Sequence, residues 1–205
     1  MSLLWPCLLL AASASAAPDL PDYRDTLGKR LSEPLAQLNQ AGQYREAIKR
    51  AGRLGRAVGR LAAVSYEAGY AHNQLGEFDV ALRHYDAALK RDPDLVAARY
   101  DRGEIHLVRG ELDAAGEDFL DVVRLKPAHW GGHFRLAHLA ALASDASLFE
   151  HHLMAALRHG FDLEMVINDP NWNRFVSDPE LRPVLRKLVV LYGNARLNEW
   201  VGERP

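Results

Sequence analysis

The chain contains a single cysteine, Cys7, which lies in an apolar run at residues 3–12. The small-x-small pattern at 14–16 follows that run, so we interpret residues 1–17 as a signal peptide. The mature chain would then have no thiol, which excludes a disulfide, a cysteine nucleophile and a cysteine metal ligand. An uncleaved anchor and a mis-assigned start stay open, because only the α-amino group supplies positive charge before the run.

The sequence also lacks an excess of charge of one sign and a second long apolar run. Its formal net charge is -2 and its pI is near 6.5, so no global field attracts nucleic acid or an acidic membrane. No later stretch reaches the roughly 18 uncharged apolar residues that span a bilayer. We therefore expect a secreted or periplasmic chain that neither spans the membrane nor binds nucleic acid.

Catalytic motifs are missing as well. The sequence has no G-x-S-x-G elbow, no P-loop, no H-E-x-x-H and no strand pattern for a dinucleotide-binding turn. His129 and His133 have the i, i+4 spacing of two metal ligands on one helix face, but Gly131 and Gly132 make that turn a poor platform. We expect no enzyme activity, no cofactor and no metal; a histidine-dependent metal protein is the weaker alternative.

The sequence does contain an internal repeat. The segment 75–94 recurs as 109–128, at an offset of 34 residues. The offset superposes Gly69 on Gly103, His72 on His106, Gly76 on Gly110, Ala81 on Ala115, Tyr85 on Phe119 and Pro93 on Pro127. Looser copies precede and follow, so we divide the chain into four units at about 28–61, 62–95, 96–129 and 130–163.

Each unit is predicted to form two helices joined by a tight turn. In the second unit we expect helices at about 61–75 and 78–91. Gly76 supplies the permissive backbone that ends the first helix, and Pro93 stops the second. One helix pair cannot bury both of its faces, so stacking on neighbouring pairs removes the remaining apolar face from water. The repeats therefore predict an all-α fold of about four stacked helix pairs.

These residues resemble the tetratricopeptide repeat (TPR), a helix-turn-helix unit with small residues, an aromatic in the second helix and a late proline. The segments YEAGYAHNQLGEFDVALRHYDAALKRDP (66–93) and YDRGEIHLVRGELDAAGEDFLDVVRLKP (100–127) carry the pattern most clearly. Arg102 stands where the family prefers leucine, and the fourth unit lacks the turn glycine and the late proline. The resemblance covers about 28–163 and implies a right-handed superhelix of TPR-like pairs.

Two flanking segments do not follow the period. We interpret residues 164–205 as a C-terminal cap and tail, in which a capping helix covers the last repeat and Trp172 and Phe175 act as packing anchors. Residues 18–27 contain two prolines, and we expect them to form an extended leader.

The family resemblance implies that the first helices of the pairs line a concave groove that receives peptides or extended protein segments. Carboxamides can donate to and accept from a peptide backbone, and tyrosine combines apolar area with a polar tip. Packing between helices explains Tyr66 and Tyr100 equally well when each is taken alone. The candidate groove residues are Asn39, Gln40, Tyr66, Tyr70, Asn73, Gln74, Tyr100, Glu104, Phe134 and His138.

Together these features predict a non-catalytic protein-protein interaction scaffold in a bacterial cell envelope, with a protein or peptide partner. The basic run 49–60 is a second candidate site, for phosphate or an acidic segment, although a solvated outer helix face explains it better. The alternative function is a self-assembling structural component that associates through an apolar edge at Leu185, Leu188 and Val189.

Overall fold

The structure is a computed structural model that describes residues 21–54, 59, 61–166, 169–193 and 195–202. The described residues form eleven α-helices and one 3₁₀ turn, and they include no strand. The first eight helices are α1 (Pro21–Gln40), α2 (Tyr44–Arg53), α3 (Ala62–Gln74), α4 (Phe78–Leu89), α5 (Val96–Val108), α6 (Leu112–Leu125), α7 (Trp130–Leu142) and α8 (Ala146–Arg158). After the 3₁₀ turn at Leu163–Val166 come α9 (Pro170–Ser177), α10 (Leu181–Tyr192) and α11 (Ala195–Gly202). The all-α prediction is confirmed, and the predicted signal peptide lies outside the described residues.

Successive helices pack in pairs, α1 with α2, α3 with α4, α5 with α6 and α7 with α8. The turn inside each pair contains one residue with positive φ, at Gly42 (70°), Gly76 (73°), Gly110 (75°) and Ser144 (52°). Only glycine adopts this backbone without steric cost. Ser144 therefore takes the place of the turn glycine that the fourth unit lacks, and the same turn is kept at some strain.

A close contact between glycine and an aromatic ring holds each of the two middle pairs together. A Cβ atom at Gly69 would lie 2.8 Å from Cε1 of Tyr85, and one at Gly103 would lie 2.9 Å from Cε1 of Phe119. Both rings are fully buried. The glycine and the aromatic recur together because the ring occupies the space that a side chain would fill.

The C-terminal helices continue the core of the fourth pair. Trp172 is buried and stacks on Phe134 of α7, with ring centroids 5.0 Å apart. Leu185, Leu188 and Val189 lie in the same cluster, because α10 packs against α8, α9 and α11. The predicted self-association edge at these three residues is therefore wrong, since they are inside the core.

The N-terminal helix corrects the second flanking prediction. The extended leader expected at 18–27 is wrong from residue 21 onward, because α1 begins at Pro21. Proline is compatible with the first turn of a helix, where its missing N–H has no partner in any case. Among the described helices, none combines the length and the apolarity needed to cross a bilayer.

Candidate functional site

The first helices of the pairs bring residues from successive units to one surface, which we call the first-helix face. Helix α1 packs against α3, and α3 contacts α5. We define the face by Asn39, Tyr66, Glu67, Tyr70, Tyr100, Asp101, Glu104, Phe134, Arg135 and His138. Polar contacts link it from one helix to the next.

Asn39 joins α1 to α3. Its Nδ2 atom donates to the backbone oxygen of Glu67 at 3.0 Å and to Oε2 of the same residue at 2.8 Å. Burial raises the pKa of the Glu67 carboxyl, while the hydrogen bond from Asn39 opposes that shift. The buried carboxamide of Asn39 thus serves the fold itself. Gln40 and Gln74 are exposed, and Asn73 is half-buried.

Three tyrosines and one carboxyl group occupy the junction of α3 and α5. The ring of Tyr66 lies 6.4 Å from that of Tyr70 and 6.0 Å from that of Tyr85. Burial raises the pKa of the Asp101 carboxyl to about 6, against opposing hydrogen bonds from the Tyr66 and Tyr85 hydroxyls. The Oδ2 atom of Asp101 is buried without a hydrogen-bond partner. A donor that reached this oxygen would relieve an unmet polar demand.

A bidentate ion pair joins α5 to α7. Arg135 donates from Nε to Oε1 of Glu104 at 2.5 Å and from Nη2 to Oε2 at 2.6 Å. Tyr100 packs against Phe119 and His129, with ring centroids 5.7 and 5.2 Å apart. Burial raises the pKa of Tyr100 to about 12. The charge of Glu104 is therefore already balanced within the chain, and Tyr100 is largely a packing residue.

The cap covers the fourth unit's share of the face. Phe134 contacts Phe161 and Trp172, and the ring of His138 lies 5.7 Å from that of Phe175. Burial lowers the pKa of His138 to about 4. The accessible part of the face therefore lies on α3 and α5, around half-exposed Tyr70. Partner binding at the ten candidate residues stays a prediction.

Sequence reasoning overlooked three charged members of this face. Glu67, Asp101 and Arg135 are spaced by the repeat period and each directly follows an aromatic position of the pattern. The period itself was the available signal. A charge beside an aromatic is also typical of a solvated helix face, so the pattern alone did not indicate a shared surface.

Neither the histidines nor the described part of the basic run forms a comparable site. His129 accepts a hydrogen bond from the backbone N–H of Gly132 at 3.0 Å, while Nδ1 of His133 lies 3.2 Å from Nδ1 of His152. No group of three His, Cys, Asp or Glu side chains within the described ranges is placed to hold a metal ion. In the basic run, Arg50 and Arg53 are exposed on α2, and residues 55–58 and 60 lie outside the described residues.

The comparison with protein families concerns the two middle helix pairs. The family model described as Tetratricopeptide repeat matches residues 66–129. The match covers less than half of the chain. The matched segment contains most of α3 and all of α4, α5 and α6, so it includes the accessible part of the first-helix face.

A curated relative is similar to part of the chain. The Tetratricopeptide repeat and J domain-containing co-chaperone DNJ1 of Fusarium oxysporum f. sp. lycopersici is 42% identical over 74 residues. The aligned region is 36% of this chain and 14% of that relative. The chain thus matches a small part of a much longer protein.

Solved structures of MamA are similar over most of the chain. One crystal structure of MamA gives a TM-score of 0.59 at 13% identity, and covers 82% of this chain and 94% of that chain. A structure titled MamA AMB-1 gives 0.58 at 17% identity, and covers 89% and 99%. At these identities the likeness shows the fold alone.

Proposed function

We propose that this chain is a non-catalytic scaffold that holds an extended segment of another protein on its first-helix face. The observation that carries the proposal is the carboxyl group of Asp101, whose Oδ2 atom is buried without a partner beside Tyr66 and close to half-exposed Tyr70. The match of residues 66–129 to the tetratricopeptide repeat model supports a protein ligand. So does a relative whose name describes a co-chaperone.

The chemistry of the open part of the face favours a segment that brings hydrogen-bond donors. Glu67 and Asp101 both carry carboxyl groups there, and the cation of Arg135 is engaged by Glu104. A backbone N–H, or a lysine or arginine side chain, would satisfy Asp101, while Tyr70 offers apolar area at low entropy cost. Helices hold these groups in place before binding, which reduces the entropy lost on association.

Photo-crosslinking tests the location of the site. A photoreactive residue placed at Tyr70 or Gln74 is expected to label a partner, whereas the same residue at exposed Arg83, on the second helix of that pair, is not. The labelled partner is then purified and its affinity is measured with Tyr70→Ala and with Arg83→Ala. We expect a loss of about tenfold for Tyr70→Ala only. Equal labelling from all three positions would contradict the proposal.

The proposed location is the cell envelope, with the mature protein secreted or periplasmic. It rests on the signal-like pattern at 1–17. Cell fractionation with N-terminal sequencing of the mature protein tests it. A start near residue 18 in the envelope fraction supports the location, and an intact N-terminus in the cytoplasmic fraction contradicts it.

Self-assembly is the second candidate function. An exposed apolar surface other than the buried edge at Leu185, Leu188 and Val189 favours it. Val190, Leu191 and Tyr192 at the end of α10 are exposed, although their neighbours on the helix are buried. Apolar side chains in sequence at one helix end can form a contact between copies. Sedimentation over a range of concentrations tests this candidate. A strict monomer at high concentration, or a dimer unchanged by Leu191→Asp, would refute it.

A further inference from the structure

A groove of about 770 Å³ lies between α6, α7 and α8, and none of the residues that define the first-helix face lines it. Leucines dominate its lining, and three of them, Leu112, Leu120 and Leu148, are 42 to 53% exposed. The carboxylates Asp113, Glu117 and Asp145 also line it. The groove therefore combines an apolar surface with acidic groups and has no lysine or arginine in its lining.

One repeat period earlier, the region equivalent to the groove is occupied by side chains of this chain. There, Nη2 of Arg109 donates to Oδ1 of Asp79 at 2.6 Å, and Arg102 bridges Asp86 and Asp118. One period later, alanine at 143 replaces Arg109 and leucine at 136 replaces Arg102. The two internal cations of the earlier unit are thus absent from the groove.

The acidic group of the earlier unit is retained, however. Asp113 stands one period after Asp79, and no cation among the described residues forms an ion pair with it. Glu117 stands one period after Arg83, so an acid replaces a cation. The groove keeps the carboxylate, loses its internal partner and adds a second carboxylate.

The apolar floor is opened by a similar exchange. Gly116 stands one period after Leu82, which packs against the core cluster of the second and third units. A Cβ atom at Gly116 would meet only Cδ1 of Leu139, at 3.7 Å. The space that a leucine occupies in the earlier unit is therefore available to a side chain from outside.

We propose that this groove binds a basic amphipathic helix of a partner protein. An arginine or lysine of the partner pairs with Asp113 and Glu117, as Arg109 pairs with Asp79, and a leucine-sized side chain lies over Gly116. The preceding unit is the template for both contacts. The site is separate from the first-helix face, so it is a second docking surface on the same chain.

The probe is a fluorescein-labelled synthetic helix with leucines at i, i+3, i+4 and i+7 and arginines beside them. The control peptide has the same sequence with glutamates in place of the arginines. Fluorescence anisotropy with the full chain measures binding. Two variants introduce into the groove the residues found one period earlier. Gly116→Leu fills the apolar space as Leu82 does, and Ala143→Arg supplies the cation that Arg109 supplies. Ala97→Arg, at an exposed alanine of α5, adds the same charge elsewhere.

We expect the arginine peptide to bind and the glutamate peptide not to bind. Gly116→Leu and Ala143→Arg should each weaken binding about tenfold, while Ala97→Arg leaves it unchanged. Both filled variants should unfold at temperatures no lower than the wild type, which excludes misfolding as the cause. Tyr70→Ala should leave peptide binding intact, so failure here is distinguishable from failure of the first-helix site.

Three results would overturn the proposal. The first is no binding up to about 1 mM peptide, the weak end of specific affinity. The second is equal binding to the wild type and both filled variants, which would place the peptide elsewhere. The third is a wild-type dimer that Ala143→Arg dissociates, which would assign the groove to a second copy of this chain.

Discussion

Replacing Arg102 with leucine, the residue that the tetratricopeptide pattern prefers there, should destabilise this chain rather than improve it. Arg102 donates from Nη2 to Oδ1 of Asp118 at 2.7 Å and from Nε to Oδ2 at 2.9 Å. The side chain of Asp118 is only 4% exposed, whereas that of Arg102 is 24% exposed. Arg102→Leu would therefore leave a buried carboxylate without its cation.

The magnitude follows from the burial of each partner. Removing one member of a buried ion pair costs about 3 to 5 kcal/mol, and we expect the lower end because water can enter beside the half-buried position. Asp118→His should cost less, about 1 to 2 kcal/mol, because Arg102 keeps Asp86 as a partner at 2.7 Å. The double variant Arg102→Leu/Asp118→His reproduces the Leu136 and His152 combination found one period later. It should lie within about 1 kcal/mol of the wild type, a coupling of about 3 kcal/mol or more.

Urea unfolding, monitored by far-UV circular dichroism, measures the free energy of unfolding of the wild type, the two single variants and the double variant. The slopes with denaturant must be compared as well, because repeat arrays can unfold in parts. Arg109→Leu is the matched control, since its partner Asp79 is exposed, and it should cost much less than Arg102→Leu because water screens an exposed ion pair. The reasoning is refuted if Arg102→Leu equals the wild type, or if the double variant loses the sum of the two single losses.

Three further predictions concern single residues. Gly69→Ala should cost about 1 to 3 kcal/mol in thermal unfolding because its Cβ meets the ring of Tyr85; Gly52→Ala, with nothing within 4 Å, should gain up to about 1 kcal/mol. Ser144→Gly should gain about 0.5 kcal/mol by relieving positive φ; a loss would mean that the hydrogen bond from Ser144 Oγ to Oδ2 of Asp178 in the cap, at 3.1 Å, dominates. The pKa of Asp101 is raised to about 6, so the wild type should lose on the order of 2 kcal/mol relative to Asp101→Asn as pH rises from about 4 to about 8. A pH-independent difference would contradict this last prediction.

The repeat period predicted most of the fold because its signals are local. Gly76 ends α3 and Pro93 follows α4 close to where the sequence indicated, and both act through the backbone of their own residue. The fourth turn was harder to predict, since serine rarely adopts the conformation that Ser144 has. The start of α1 at Pro21 was misjudged because proline is compatible with both an extended segment and a first helical turn.

The candidate site was less predictable, because burial depends on contacts between distant segments. Nothing near His138 in the sequence indicates that Phe175 covers it. Likewise, the carboxamide of Asn39 is engaged by Glu67, a residue in the next unit. The unpartnered oxygen of Asp101 is visible only once the tyrosines of a neighbouring helix are placed around it.

The third and fourth units differ in how their carboxylates are neutralised. In the third unit Arg102 and Arg109 neutralise carboxylates within the chain, and one period later both cations are gone while Asp113 remains. If the groove were only a solvated outer surface, Ala143→Arg would restore an exposed ion pair and gain no more than about 1 kcal/mol in folding. That gain is also a measure of what one cation of an occupant obtains there, before its apolar contacts are added. A filled variant should therefore be more stable but should no longer bind the basic helix. That result would show that equivalent positions serve folding in the earlier unit and recognition of a partner in the later one.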